Sequence, residues 1–153
     1  MEDAKGVKGA ELRDEQLYGS WLITGARGYA IDADGTRTEH EGAQEGVLIF
    51  TPLHRMIAFA LQPGREPAQN DEERLGLFKS MVTYTGKFRL ERGRYLLDID
   101  WSSTALNRDE TQIRNYKIDG DRLTIEVPLH RNIHDPTRQN SNVLMLVRER
   151  CMD

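Results

Sequence analysis

A chain of 153 residues, 38% hydrophobic and 30% charged, fits one globular domain large enough to bury a core without disulfides or metal. A net charge of −4 and a pI near 5.6 leave no basic stripe for phosphates, which excludes nucleic acid as a partner. No run nears the ~18–20 apolar residues of a bilayer span, so no membrane partner is expected either.

Residues 1–10 are small, charged and glycine-bearing, and predict a disordered tail ahead of one domain over 11–150. The opening Met1-Glu2-Asp3-Ala4-Lys5 lacks the basic-then-apolar order of a signal peptide, and the lone Cys151 cannot pair within the chain. Both features predict a cytoplasmic protein. Leu12 to Tyr18 can form a short helical turn. Eight alternating apolar runs then read as strands at 19–30, 45–51, 54–62, 81–90, 94–102, 110–118, 121–127 and 142–149. Their connections alternate between tight turns (Pro52-Leu53, Arg92-Gly93, Asp119-Gly120) and long loops at 31–44, 63–80, 103–109 and 128–141. In an up-and-down antiparallel sheet, alternate connections lie at opposite ends. The expected fold is therefore all-β, an eight-stranded up-and-down barrel with its long loops gathered at one mouth. Such a barrel has room for side chains or one small ligand. The polar, glycine-bearing 31–44 segment reads as a mobile loop. Within 63–80, Asn70 and Glu73 form a capping-box pattern ahead of Leu75, Leu77 and Phe78, which predicts a short lid-like helix over 71–79.

The Asp119-Gly120 pair is a type I′ turn signal, and it sets Tyr116 opposite Leu123, Arg114 opposite Ile125 and Gln112 opposite Val127. Because Leu123, Ile125 and Val127 must face the core, Gln112, Arg114 and Tyr116 point inward with them. A buried guanidinium cannot lose its charge, so Arg114 needs a carboxylate, an anion or a polar ligand. The preceding hairpin has two solutions. A two-residue Arg92-Gly93 turn puts Tyr95, Leu97, Ile99 and Trp101 inside. A three-residue loop closed by Gly93 puts Asp98 and Asp100 inside instead.

Gly19-Ser20-Trp21 on the first strand with Arg148 on the last resembles the lipocalin signature, in which the arginine packs across the tryptophan near the closed end. Four further stretches are similar to the small lipocalin-like domain family, a calycin-type barrel: Gly46 to Pro52 with Arg55-Met56, Tyr84 to Phe88, Gln112-Ile113-Arg114, and Asp119 to Thr124. The resemblance covers roughly 17–149. It implies Trp21 buried at the tight-turn end with Arg148 against it. Where such relatives often carry His-x-Glu, this chain has Asp98-Ile99-Asp100. The resemblance therefore turns Asp98 and Asp100 inward, while imidazole chemistry at that place does not carry over.

Facing inward, Asp98 and Asp100 would lie on one strand face about 7 Å apart, with Arg114 on the neighbouring strand. One carboxylate could keep its proton while Arg114 holds the other ionised, an arrangement suited to acid–base catalysis. The alternative is a structural ion pair, or two solvated aspartates on the outer face paired with Lys87. In the catalytic version Arg114→Leu destabilises the fold, and a second change at Asp100 recovers part of the loss. Tyr84, Trp101, Gln112, Tyr116, His130 and His134 are the substrate-binding candidates. His130 and His134 lie in a loop bounded by prolines, so no metal is expected there. His54 and Arg55, at the tight-turn end, are read as structural. No phosphate loop or G-x-S-x-G elbow is present, and no cofactor is expected. The functional expectation is a cofactor-independent isomerase, cyclase, dehydratase or ring-opening enzyme acting on a small apolar or amphipathic molecule. A non-catalytic binder or carrier with the same cavity is the alternative, and a homodimer is compatible with either.

Overall fold

Alternating apolar residues build one continuous antiparallel sheet in the computed structural model, which describes residues 11–42, 44–105, 110–132 and 134–152. The strands are β1 (Gly19–Ile31), β2 (Arg37–Gly42), β3 (Glu45–Phe50), β4 (Arg55–Leu61), β5 (Met81–Glu91), β6 (Arg94–Ser102), β7 (Thr111–Asp119), β8 (Arg122–Arg131) and β9 (Gln139–Arg148). Among the described residues one helix, α1 (Asp71–Lys79), lies between β4 and β5. Strands β3 to β9 pair in sequence, and β9 closes on β1. The first half of β1 pairs with β3 and its second half with β2, so β2 and β3 are two pieces of one interrupted strand. The result is a closed eight-stranded antiparallel barrel. No helix among the described residues is long and apolar enough to cross a membrane. The expected tail at 1–10, and residues 106–109 of the 103–109 loop, fall outside the described residues.

The strand β2 corrects the expectation of a mobile loop over 31–44. Its sequence, Arg-Thr-Glu-His-Glu-Gly, has no apolar face to reveal it. Its backbone is instead ordered by pairing with the far half of β1, from Ala26↔Gly42 to Ile31↔Arg37, beyond a turn in which the Gly35 N–H donates to the Asp32 carbonyl. Strands β8 and β9 also run further than expected, to Arg131 and from Gln139, which shortens the loop between them.

Both hairpin questions have clear answers. Asp119 pairs with Arg122, which leaves Gly120 and Asp121 as the turn, and Tyr116 lies opposite Ile125. The register differs by two residues from the expected one, so the inward face is unchanged. Glu91 pairs with Arg94, giving the two-residue Arg92-Gly93 turn, and Tyr95, Leu97 and Ile99 are buried. A bulge then intervenes: Gly86 pairs with Ile99 but Thr85 with Trp101, leaving Asp100 as the extra residue. The bulge turns Trp101 outward, and it is 64% exposed.

Side-chain size explains why the barrel is full at one end and hollow at the other. The closed end holds Trp21, Phe50, Phe88 and Tyr95, all buried, with the last three meeting edge to face at 5.3–6.0 Å between ring centroids. Leu17, wholly buried, seals the floor from the N-terminal segment, where its carbonyl accepts the Trp21 indole N–H at 2.9 Å. Arg148 stacks on Trp21 at 4.1 Å and donates to the carbonyls of Gln16 and Tyr18. Tyr18 and His54 add a 2.6 Å hydrogen bond there, and the His54 ring stacks on Phe88. Toward the mouth the inward residues shrink to Ala58, Ala60, Val82 and Val127. Four large rings fill the floor; alanine and valine leave the upper half open.

Gly46 marks one place where backbone geometry fixes residue type. Its φ is +139°, and an added Cβ would overlap the Phe59 carbonyl oxygen on β4. Gly46→Ala is expected to cost about 3 kcal/mol of stability in urea unfolding, the strain adding to the clash.

Candidate functional site

The hollow half of the barrel is a cavity of about 240 Å³. Its apolar wall comes from Leu48, Ala58, Ile99, Val127 and Leu144, and its polar rim from β8, β9 and the ends of β4 and α1. Asn140 and Asn142, two apart on β9, share a face and border it with Arg114, His130 and His134. Residues of the expected 31–44, 63–80 and 128–141 connections meet there. The His134 Nε2–H donates to the Met81 carbonyl at 2.8 Å, and Phe78 of α1 stands edge-on to the His134 ring at 5.2 Å.

Helix α1 forms as its sequence dictates. Asn70 caps it by accepting the Glu73 N–H at 2.9 Å, while the Glu73 carboxylate accepts the Gln69 N–H at 3.0 Å. None of its residues is buried. The helix stands beside the opening, with Lys79 at the cavity edge.

Arg114 is the central polar group. It is only 5% exposed, on β7 beside Tyr95 of β6. Its Nη1 donates to the Ile113 carbonyl at 3.1 Å and to the buried Gln112 Oε1 at 3.4 Å. Among the described residues no carboxylate lies within ion-pair distance of it.

The expected partners face the other way. Asp98 is on the outer wall, where it accepts from Arg89 at 3.0 Å and from the Thr111 hydroxyl at 2.7 Å. Asp100 is also outside, gripped in two hydrogen bonds by Arg55 at 3.0 and 2.8 Å. That guanidinium holds the Asp100 carboxyl below the usual carboxylate range. The inward placement of Asp98 and Asp100 is thereby corrected: the two-residue turn puts Asp98 out, and the bulge keeps Asp100 and Trp101 out together. Arg55, expected to be structural, is the actual partner of Asp100. Trp101 is likewise corrected from the cavity to the outer wall, with the Arg55 guanidinium 5.3 Å from its ring.

Of the remaining expected residues, Tyr84, His130 and His134 border the cavity. Gln112 is buried and touches the site through Arg114. Tyr116 faces inward below the cavity, where its hydroxyl donates to Asp14 of the N-terminal segment at 2.8 Å. Burial, then that carboxylate, push its phenol above the ordinary range. The amides Gln62, Asn132, Asn140 and Asn142 were not anticipated. The polar run Gln139-Asn140-Ser141-Asn142 carried the signal, since alternate residues of a strand extension there must face in.

His130 belongs to β8 rather than to a loop, and its Nδ1–H donates to the Pro128 carbonyl at 3.0 Å. Burial, reinforced by the charge of Arg114, holds its pKa below the ordinary value of 6.5. Its neutral form is therefore favoured in the fold, and the unfolded chain binds the extra proton first. The stability this represents is complete above pH 6.5 and is lost as pH falls toward the depressed folded pKa. Urea midpoints measured from pH 7.5 to 5 should fall for the unaltered protein and fall less for His130→Asn. Among the described residues no three His, Cys, Asp or Glu side chains cluster to hold a metal.

A search of curated proteins returned no match. The model of the lipocalin-like domain family matches residues 18–151, from the residue before Gly19-Ser20-Trp21 to three beyond Arg148. With the closed barrel, the Trp21–Arg148 contact and a cavity at the opposite end all present, the chain belongs to the lipocalin-like domain family.

Proposed function

We propose that this protein binds a compact, largely apolar organic molecule in the barrel, with the polar rim orienting it. The observation that carries this reading is the cavity of about 240 Å³, apolar-walled and polar-rimmed, opposite a sealed, aromatic-packed floor. Native mass spectrometry of protein purified from its own host should reveal a small-molecule adduct that unfolding releases. A clean spectrum, together with no thermal shift from any member of a library of small apolar compounds, would defeat the reading.

A cofactor-independent isomerase, cyclase, dehydratase or ring-opening enzyme remains the second reading, now on a different residue. His130 is favoured in its neutral form beside Arg114, which suits a general base working near neutrality. The two readings diverge in one measurement. In an enzyme His130→Asn removes turnover of the recovered ligand and keeps its affinity, whereas a carrier has no turnover to lose. Cys151, exposed and unpaired, suits a reducing cytoplasm. Exposed Ile57, Phe59 and Trp101 on the outer wall are compatible with a homodimer.

A further inference from the structure

The charge of the cavity is opposite to that of the chain. The protein has 25 acidic residues against 21 lysines and arginines. Among the described residues no acidic side chain borders the cavity, whereas the cations Arg114 and Lys79 do, together with His40, His130 and His134. Arg114 is the least solvated of these, and among the described residues no carboxylate lies within ion-pair distance to balance it. Its Nη1 is engaged by an amide and a backbone carbonyl, both neutral acceptors. A guanidinium so placed is matched best by the two oxygens of a planar anion.

We propose that the cavity takes a compact organic carboxylate, an acid with an apolar body whose carboxylate ion-pairs with Arg114. This rests on the cavity being a ligand site and specifies the ligand's chemistry. A volume of about 240 Å³ equals about eight water volumes and suits on the order of ten non-hydrogen atoms. Leu48, Ala58, Ile99, Val127 and Leu144 cover the body of the acid. One guanidinium satisfies a single carboxylate, and the apolar wall disfavours a more highly charged phosphate. The neutral His130 leaves Arg114 as the main positive charge at that depth.

The test uses matched probes: 3-phenylpropionate against 3-phenylpropionamide, and cinnamate against cinnamamide, titrated by ligand-observed NMR and calorimetry at pH 7.5. Each acid should bind at least tenfold more tightly than its amide, and Arg114→Gln should close that gap while Arg114→Lys keeps part of it. Equal binding of acid and amide would overturn the carboxylate assignment and leave the cavity reading intact. No binding by either member of both pairs would count against the cavity reading itself. An acid preference that survives Arg114→Gln would overturn the role of Arg114, and inorganic phosphate displacing the acids at equal concentration would overturn the carboxylate class. If Arg114→Gln does not fold, the acid–amide comparison on the unaltered protein still decides.

Discussion

Arg114→Met is expected to stabilise the ligand-free protein by about 1–3 kcal/mol. An isolated buried charge is retained at a cost in desolvation that nearby opposite charge normally offsets, and hydrophobic replacement of buried ionic groups is often stabilising by about this amount. Arg114 is 5% exposed, and among the described residues its hydrogen-bond acceptors are the Gln112 amide and a backbone carbonyl. The methionine chain fills most of the same space without charge. Urea unfolding checks the sign, and a destabilised variant would mean that the guanidinium is compensated in the free protein after all. The double-mutant cycle of Arg114 with Asp100 should be additive within about 0.5 kcal/mol, because the two lie on opposite sides of the wall. Arg55 with Asp100 should instead couple by up to about 1 kcal/mol, the value for a partly exposed pair.

Trp21→Ala should be the most damaging single change, at about 4–5 kcal/mol. Truncating a fully buried large aromatic costs about 3–5 kcal/mol. Here the indole also receives the Arg148 stack and donates to Leu17, which anchors the segment sealing the floor. A loss of that size approaches the whole stability of an ordinary domain, about 5–15 kcal/mol. Circular dichroism at 25 °C should find the variant partly unfolded. Trp21→Phe, which keeps the ring and loses the N–H, should lose less than half as much.

Most of the barrel is legible in the sequence because most of its strands carry apolar alternation and its tight turns carry proline or glycine. Leu123, Ile125 and Val127 fix the inward face of β8 however the turn slips by two residues, so Arg114 and Gln112 are placed correctly from an incorrect register. The acidic pair is placed wrongly for the complementary reason. No residue near 98–101 announces the bulge, because a bulge depends on how two ladders meet across β5 and β6. Arg55, 45 residues from Asp100, becomes its partner only through the order of the strands. Strand β2 is invisible for want of an apolar face, and the rim amides Asn132 and Asn140 hide in what reads as a loop.

The bulge at Asp100 acts as a parity switch. Below it β6 alternates Tyr95, Leu97 and Ile99 inward, and above it the phase is reversed, so that Trp101 faces solvent beside Thr85 while Ser102 pairs with Tyr84. One residue inserted into β5 opposite Asp100 would straighten the ladder, swing Trp101 into the mouth and expel Tyr84. The floor of aromatic rings would be untouched. A single codon gained in β5 at this point therefore exchanges a phenol for an indole at the entrance, a short mutational route to a different ligand on an unchanged frame.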